Sequence, residues 1–275
     1  MNVLKLILSL IIVLFSFFVS ANAKTTTNFA AFNNPIDTIK MKVEVWSDVM
    51  CPFCYIGKKK FESALEKFSG KKNIELTWKS YQLDPSIKNG ETPDYKEYLS
   101  KRKGMSLSHV TQMLQQVTEM AKGAGLTFHL DKAVIANSFD AHRLSHLALI
   151  QGKQNQVEEL LFAAHFIEGK DISNHTILIE IAARAGIDSV LVKEMLDGKK
   201  FAKEVLADVN EAQQLGIQGV PFFVFNRKYA VSGAQPASSF LQVLEKSYAE
   251  WEKESPTSAL KIINGPACTP NGECK

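Results

Sequence analysis

Apolar and polar positions alternate through Met41-Lys42-Val43-Glu44-Val45-Trp46, and the β-branched residues among them predict a strand that begins the ordered chain at Met41. Ser47-Asp48-Val49-Met50 then breaks the alternation and reads as a loop. From Gly57 onward Phe61, Ala64, Leu65 and Phe68 recur at helical spacing up to Gly70, which predicts a helix with Lys58-Lys59-Lys60 on a solvated face. Ile74, Leu76 and Trp78 next alternate with Glu75, Thr77 and Lys79, a half-buried strand that closes a β-α-β unit. Such a crossover is right-handed, so its two strands are expected to be parallel.

Between Pro85 and about Leu215 strand patterning disappears and helical periodicity takes over. Ser106 is a candidate cap before a face of Leu107, Val110, Met113, Leu114 and Val117. Further amphipathic runs cover Phe139 to Ile150, Val157 to Ile167, Thr176 to Ala185 and Asp188 to Leu196. Pro221-Phe222-Phe223-Val224-Phe225, a turn at Asn226-Arg227-Lys228, and Tyr229-Ala230-Val231 then read as an antiparallel hairpin, followed by a helix from Pro236 to Trp251. The order β-α-β, helical block, β-β-α is an α/β, thioredoxin-like arrangement split by a large all-helical insertion.

The ends of the chain read differently. Lys5, the apolar stretch Leu6 to Val19 and the small-residue ending Ala21-Asn22-Ala23 have the three-part layout of a secretory signal peptide with its cut after Ala23. An uncleaved anchor is the competing reading, since the stretch approaches the ~18 residues of a membrane-spanning candidate; the small residues favour cleavage. The predicted organisation is a signal peptide over 1–23, a linker over 24–40, the first part of the thioredoxin-like domain over 41–84, the helical insertion over 85–213, the second part over 214–251 and a Pro- and Gly-containing tail over 252–275. The mature chain is expected to be soluble and exported, periplasmic or an equivalent location. With 32 basic and 29 acidic residues the net charge is only +3, and no basic stripe suggests nucleic acid.

Export changes how the four cysteines read, because an oxidising compartment favours pairing of Cys51 with Cys54 and of Cys268 with Cys274. Cys51-Pro52-Phe53-Cys54 stands between a predicted strand and a predicted helix. Disulfide exchange needs a thiolate, an accessible sulfur and a second thiol close by, and cysteines three apart at a helix start supply them. The helix N-terminus, with roughly half a positive charge, favours a thiolate at Cys51, whose sulfur is expected to be exposed while Cys54 is tucked beneath. Pro52 suits a first helical turn, where its missing N–H is no loss. Phe53 brings no charge, which predicts a milder oxidant than a cationic residue would give. A structural staple is disfavoured because so short a loop constrains the unfolded chain little. A zinc site is disfavoured because the distant pair, with five residues between its cysteines, completes a four-cysteine set poorly. Cys268-Cys274 is a candidate second redox pair that relays electrons to Cys51-Cys54, or else a local staple.

The segments Ser47-Asp48-Val49-Met50-Cys51-Pro52-Phe53-Cys54-Tyr55-Ile56-Gly57, Asn137-Ser138-Phe139-Asp140-Ala141-His142-Arg143-Leu144 and Gly219-Val220-Pro221-Phe222-Phe223 resemble the DsbA family, FrnE-like branch. The resemblance spans Met41 to about Tyr248. It implies a thioredoxin fold with an inserted helical domain, catalytic Cys51 and Cys54, and a cis peptide bond at Val220-Pro221 that faces the sulfurs and presents backbone to a substrate peptide. Asp48 is either a proton acceptor or a helix cap, with capping the favoured use. His142 and Arg143 match the family pattern, but a buried histidine or a surface arginine on a helix needs no catalytic role.

The function expected is exported protein thiol-disulfide oxidation or disulfide isomerisation, without cofactor or metal. Its partners would be exported proteins carrying thiols or disulfides, and a membrane redox partner for the oxidising direction. The alternatives are a periplasmic chaperone or binding module that uses apolar surface near Phe53, Phe222 and Phe223, and a glutathione-linked non-redox isomerase, whose relatives typically lack the full cysteine pair.

Overall fold

The computed structural model describes residues 39–88 and 93–254. The signal segment, nearly all of the linker and the tail pair Cys268 and Cys274 lie outside the described residues. The elements run β1 (Met41–Ser47), α1 (Pro52–Lys67), β2 (Ile74–Ser80), then α2 (Tyr95–Lys103), α3 (Leu107–Gly123), α4 (Phe139–Ile150), α5 (Gln154–Phe166), α6 (His175–Arg184), α7 (Ser189–Asp197) and α8 (Ala202–Gln214), and finally β3 (Phe222–Phe225), β4 (Tyr229–Ser232) and α9 (Ala237–Glu254). The α/β thioredoxin-like plan with a helical insertion is therefore the observed fold.

The sheet order is β2-β1-β3-β4, with β1 parallel to β2 and antiparallel to β3. Its strand period places Met41, Val43 and Val45 on one face, where they are fully buried with Phe61 and Ala64 of α1 and Phe240 and Leu244 of α9. Trp46 points the other way and packs with Ala212, Ile217 and Val224, its indole N–H donating to the Asp208 carbonyl at 3.0 Å. Both faces of the sheet are thus covered. Phe223 holds the first face together: its ring lies 5.4 Å from Phe61 and 4.6 Å, edge-on, from Phe240.

Strand β2 is the edge next to the helical block, and side chains finish its hydrogen bonding. Gln154 accepts from the Trp78 amide at 2.9 Å and donates to the Trp78 carbonyl at 2.8 Å, while the Asp208 carboxylate takes the Ser80 amide at 2.9 Å. An edge satisfied in this way offers little to an invading strand. The β3–β4 turn uses left-handed backbone at Asn226 and Arg227, with the Lys228 amide donating to the Phe225 carbonyl at 3.0 Å.

Helices α2 and α8 lie inside the predicted helical region without having been marked as separate runs. Tyr95-Lys96-Glu97-Tyr98-Leu99-Ser100-Lys101-Arg102-Lys103 carries too few apolar residues for a period, and its start is set by the Asp94 carboxylate, which accepts from the Glu97 amide at 2.9 Å.

Two surface expectations are corrected. Lys58 is not solvated: 1 % exposed, it pairs with Glu62 at 2.5 Å and with Glu159 of α5 at 2.6 Å. A helix read alone shows its period but not a neighbour that brings carboxylates to its polar side. Burial works against the Glu159 charge, yet Lys58 and Lys59 outweigh it and hold this carboxyl below its ordinary range. Arg143 is likewise buried, donating to the Lys200 and Gly198 carbonyls at 2.9 and 2.7 Å and to the Met195 carbonyl, so a cation closes the C-terminal end of α7.

Phe223→Ala removes the ring shared by α1 and α9 and is expected to lower unfolding free energy by about 3–5 kcal/mol, read from urea-denaturation midpoints. A loss under about 1 kcal/mol would contradict the central place given to this ring.

Candidate active site

Cys51 is the N-cap residue of α1, with extended backbone (φ −96°, ψ 113°) and Pro52 opening the first turn. Its amide donates to the Asp48 carbonyl at 2.9 Å, and the Cys54 amide donates to the Cys51 carbonyl at 3.0 Å. No acidic residue lies in the first turn of α1 to oppose its positive end. Both cysteines are free thiols. Phe53 projects outward and is 37 % exposed.

The exposed sulfur expected at Cys51 is not found: the residue is 5 % exposed and Cys54 is 0 % exposed. The cover is the turn before β3. The Cys51 thiol donates to the Val220 carbonyl at 3.5 Å, and the Val220–Pro221 peptide bond is cis. Gly57 makes this approach possible, because a Cβ there would lie 2.9 Å from Pro221 Cγ. Tyr55 anchors the same turn of α1 from the other side, stacking 5.0 Å from Phe162 and donating to Glu159 at 2.8 Å.

The two sulfurs are not equivalent. Burial pushes the Cys54 thiol well up, and the neighbouring Cys51 sulfur pushes it further, against a partial pull down from the Ser47 hydroxyl and the Asp48 amide. Cys54 therefore keeps its proton through the neutral range. Ser47 is itself buried.

Asp48 does not cap α1, which has no side-chain cap. Its carboxylate instead accepts from the Met50 amide at 3.1 Å and the Leu83 amide at 2.7 Å, tying the loop before Cys51 to the loop after β2. His142 of α4 stands 3.6 Å from that carboxylate, with Nε2 2.9 Å from the Tyr81 carbonyl. Burial opposes charge on both groups, but each stabilises the other: Asp48 is held below, and His142 above, its ordinary pKa. His165 offers the contrast. Fully buried with neither ring nitrogen partnered, it is pushed down to about 4 and stays neutral.

The fold thus brings Asp48, Cys51, Pro52, Phe53, Cys54, Val220 and Pro221 to one place. Among the described residues no group of three or more His, Cys, Asp or Glu could hold a metal. Sequence reasoning missed Ser47, Gly57 and Tyr95, which the folded chain brings around the cysteine pair. Ser47 and Gly57 were visible in the quoted motif, but their importance is spatial. What the arrangement can do is thiol-disulfide exchange: one sulfur at a helix N-terminus, a second beneath it that retains its proton.

The family model described as DSBA-like thioredoxin domain matches residues 42–245. A crystal structure of a probable DsbA oxidoreductase from Streptomyces coelicolor is 35 % identical, with TM-score 0.73, covering 86 % of this chain and 98 % of that one. The protein YwbO of Bacillus subtilis is 24 % identical over 77 % of this chain and 98 % of its own length. The ClpXP adapter protein SpxH of Halalkalibacterium halodurans is 24 % identical over 80 % of this chain and 72 % of its own.

The Asp48–His142 pair makes stability depend on pH in a defined direction. The lowered Asp48 contributes stability above its ordinary 3.8, lost as pH falls through the folded value. The raised His142 contributes below its ordinary 6.5, lost as pH rises through the folded value. Wild type should therefore exceed Asp48→Asn by about 3 kcal/mol between these two values and by less at alkaline pH, measured by urea denaturation across the range. A difference that does not change with pH would dismiss the charged pair.

Proposed function

The chain belongs to the DSBA-like thioredoxin domain family and is an enzyme of the protein disulfide oxidoreductase and isomerase kind, and from that premise we propose that it is exported and exchanges protein disulfides through Cys51 and Cys54. The observation that carries this reading is the pair of unequal free thiols at the α1 N-terminus, facing the cis Val220–Pro221 turn. Export rests on the signal pattern of Met1 to Ala23.

In the oxidising direction a substrate thiolate attacks the Cys51 sulfur of the Cys51–Cys54 disulfide. The S–S bond breaks, its electron pair leaves on Cys54, and burial there drives proton uptake. A mixed disulfide now joins Cys51 to the substrate. A second substrate thiolate attacks the substrate's own sulfur and releases Cys51, so the substrate has lost two electrons and the cysteine pair has gained them. A protonated Cys54 attacks back slowly, which gives the second substrate thiol time to act. The electrons then pass to an acceptor, for which a membrane quinone-linked partner is the natural class. Isomerisation begins instead with reduced Cys51 attacking a wrong disulfide, and needs a reductant. The pair Cys268-Cys274 would serve either direction as a relay.

Similarity to an adapter protein favours one other reading, a binding module in which the cysteines are dispensable. Cys54→Ala separates the two: mixed disulfides with exported proteins should accumulate at Cys51, and none under oxidising growth would sink the exchange reading. If Cys51→Ser retains full cellular function, the binding module stands instead. For the tail, replacing Cys268 and Cys274 together by Ser should slow turnover with the electron acceptor while leaving a single turnover of Cys51-Cys54 unchanged; equal turnover removes the relay.

A further inference from the structure

When the Cys51–Cys54 bond opens, its electron pair lands on a sulfur that is 0 % exposed. Solvent cannot receive charge there, so the donors fixed around Cys54 decide how readily that sulfur leaves.

The fold puts Ser47 opposite it. Because β1 and β2 are parallel, α1 between them runs back along the sheet, and the end of β1 meets the start of α1. The face of β1 turned toward α1 carries Met41, Val43 and Val45, and the strand period of two adds Ser47 as its last residue. On α1 the matching stripe holds Phe61 and Ala64, and Cys54 precedes Phe61 by seven residues, two turns up the same side. Ser47 and Cys54 are therefore the facing residues at this end of the strand–helix contact. Ser47 is 2 % exposed, and its backbone is pinned by the Tyr81 amide, which donates to its carbonyl at 2.9 Å.

The Ser47 hydroxyl makes no hydrogen bond to an oxygen or nitrogen among the described residues. Its influence is on the sulfur: with the Asp48 amide, it favours charge on Cys54 against the burial that opposes it. A hydroxyl sealed from water and committed to no other acceptor is costly to keep for packing alone. Charge forming on Cys54 gives it an acceptor.

We propose that the Ser47 hydroxyl, together with the Asp48 amide, receives the leaving sulfur of disulfide exchange: its O–H turns to Cys54 Sγ as the S–S bond breaks and stabilises the thiolate formed there. The proposal rests on the exchange reading and adds a group to that reaction. In the step concerned, a substrate thiolate bonds to the Cys51 sulfur, the Cys51–Cys54 bond breaks and its electron pair goes to Cys54. Ser47 keeps its own proton. Cys54 then takes up one proton, equivalent to the one the attacking thiol released. The donor acts on a charged Cys54 only, so it speeds bond opening without favouring the finished thiol.

The test is rapid quenched flow with the oxidised full chain and glutathione, following the mixed disulfide at Cys51. Ser47→Ala should slow its formation about tenfold, the loss expected of one donor to a developing charge, and Ser47→Thr, which keeps the hydroxyl, should restore it to within about threefold. The equilibrium constant with glutathione at neutral pH should stay within about twofold of wild type, because the reduced pair holds Cys54 protonated. A second step isolates the effect. In the Cys54→Ala background, release of glutathione from Cys51 by dithiothreitol puts no charge at position 54, and adding Ser47→Ala should leave its rate unchanged. Bond opening at the wild-type rate in Ser47→Ala, equal slowing in Ser47→Ala and Ser47→Thr, or a matching loss in the Cys54→Ala background would overturn the role given to Ser47 and leave the exchange reading standing. No reaction of oxidised wild type with glutathione or dithiothreitol would bring down the exchange reading, and this role with it.

Discussion

The close approach of α1 to the turn before β3 is the contact on which the rest of the site depends. Gly57 faces the Pro221 ring at a distance no side chain could share, and this brings the Val220 carbonyl within reach of the Cys51 thiol. The approach is fixed from both ends. Phe223, two residues beyond Pro221, is locked between Phe61 and Phe240, and Tyr55 fastens the first turns of α1 to the helical block. Because Cys51 and Pro221 belong to segments far apart in the chain, only a rigid sheet and a rigid helix can hold them at one distance. A site built on such elements is more exact than one built on loops.

The boundary between the sheet and the helical insertion is unusually polar for a buried surface. Asp48 with His142, Lys58 with Glu159, Ser80 with Asp208 and His146, and Trp78 with Gln154 all cross it. Each of these groups would be costly to bury alone, so each admits one arrangement of its partner. Apolar packing by itself would allow the two layers to slide. The charges instead specify register, and Asp48 extends that register to the loop that delivers Cys51.

Chemical asymmetry follows from the same geometry. One turn of helix separates two identical side chains, but the first stands at the N-terminus under a single carbonyl, and the second lies beneath it among groups that hold its proton in place. Spacing makes the pair; burial makes its members different.

Residues 41–83 and 219–251 could be read almost completely from the sequence, because strand alternation and helix periodicity are local and the CPFC motif carries its chemistry in its own spacing. Cys51, Pro52, Phe53 and Cys54 are neighbours along the chain, and the fold brings Pro221, which the family resemblance singles out, against them. Local pattern failed where a distant segment supplied the partner. Lys58 reads as solvent-facing until α5 brings Glu159; Arg143 reads as surface until the end of α7 turns its carbonyls inward; Asp48 reads as a cap until His142 and Leu83 claim its carboxylate. Tyr95 gave no signal at all, since its weakly periodic helix shows nothing of the cysteine that the fold brings near it. The sequence by itself determined the order of elements and that Cys51 and Cys54 stand three apart at a helix start, because those follow from neighbours along the chain. Tertiary structure alone decided which charges are buried and that the Cys54 thiol keeps its proton, because desolvation and hydrogen bonding depend on neighbours in space.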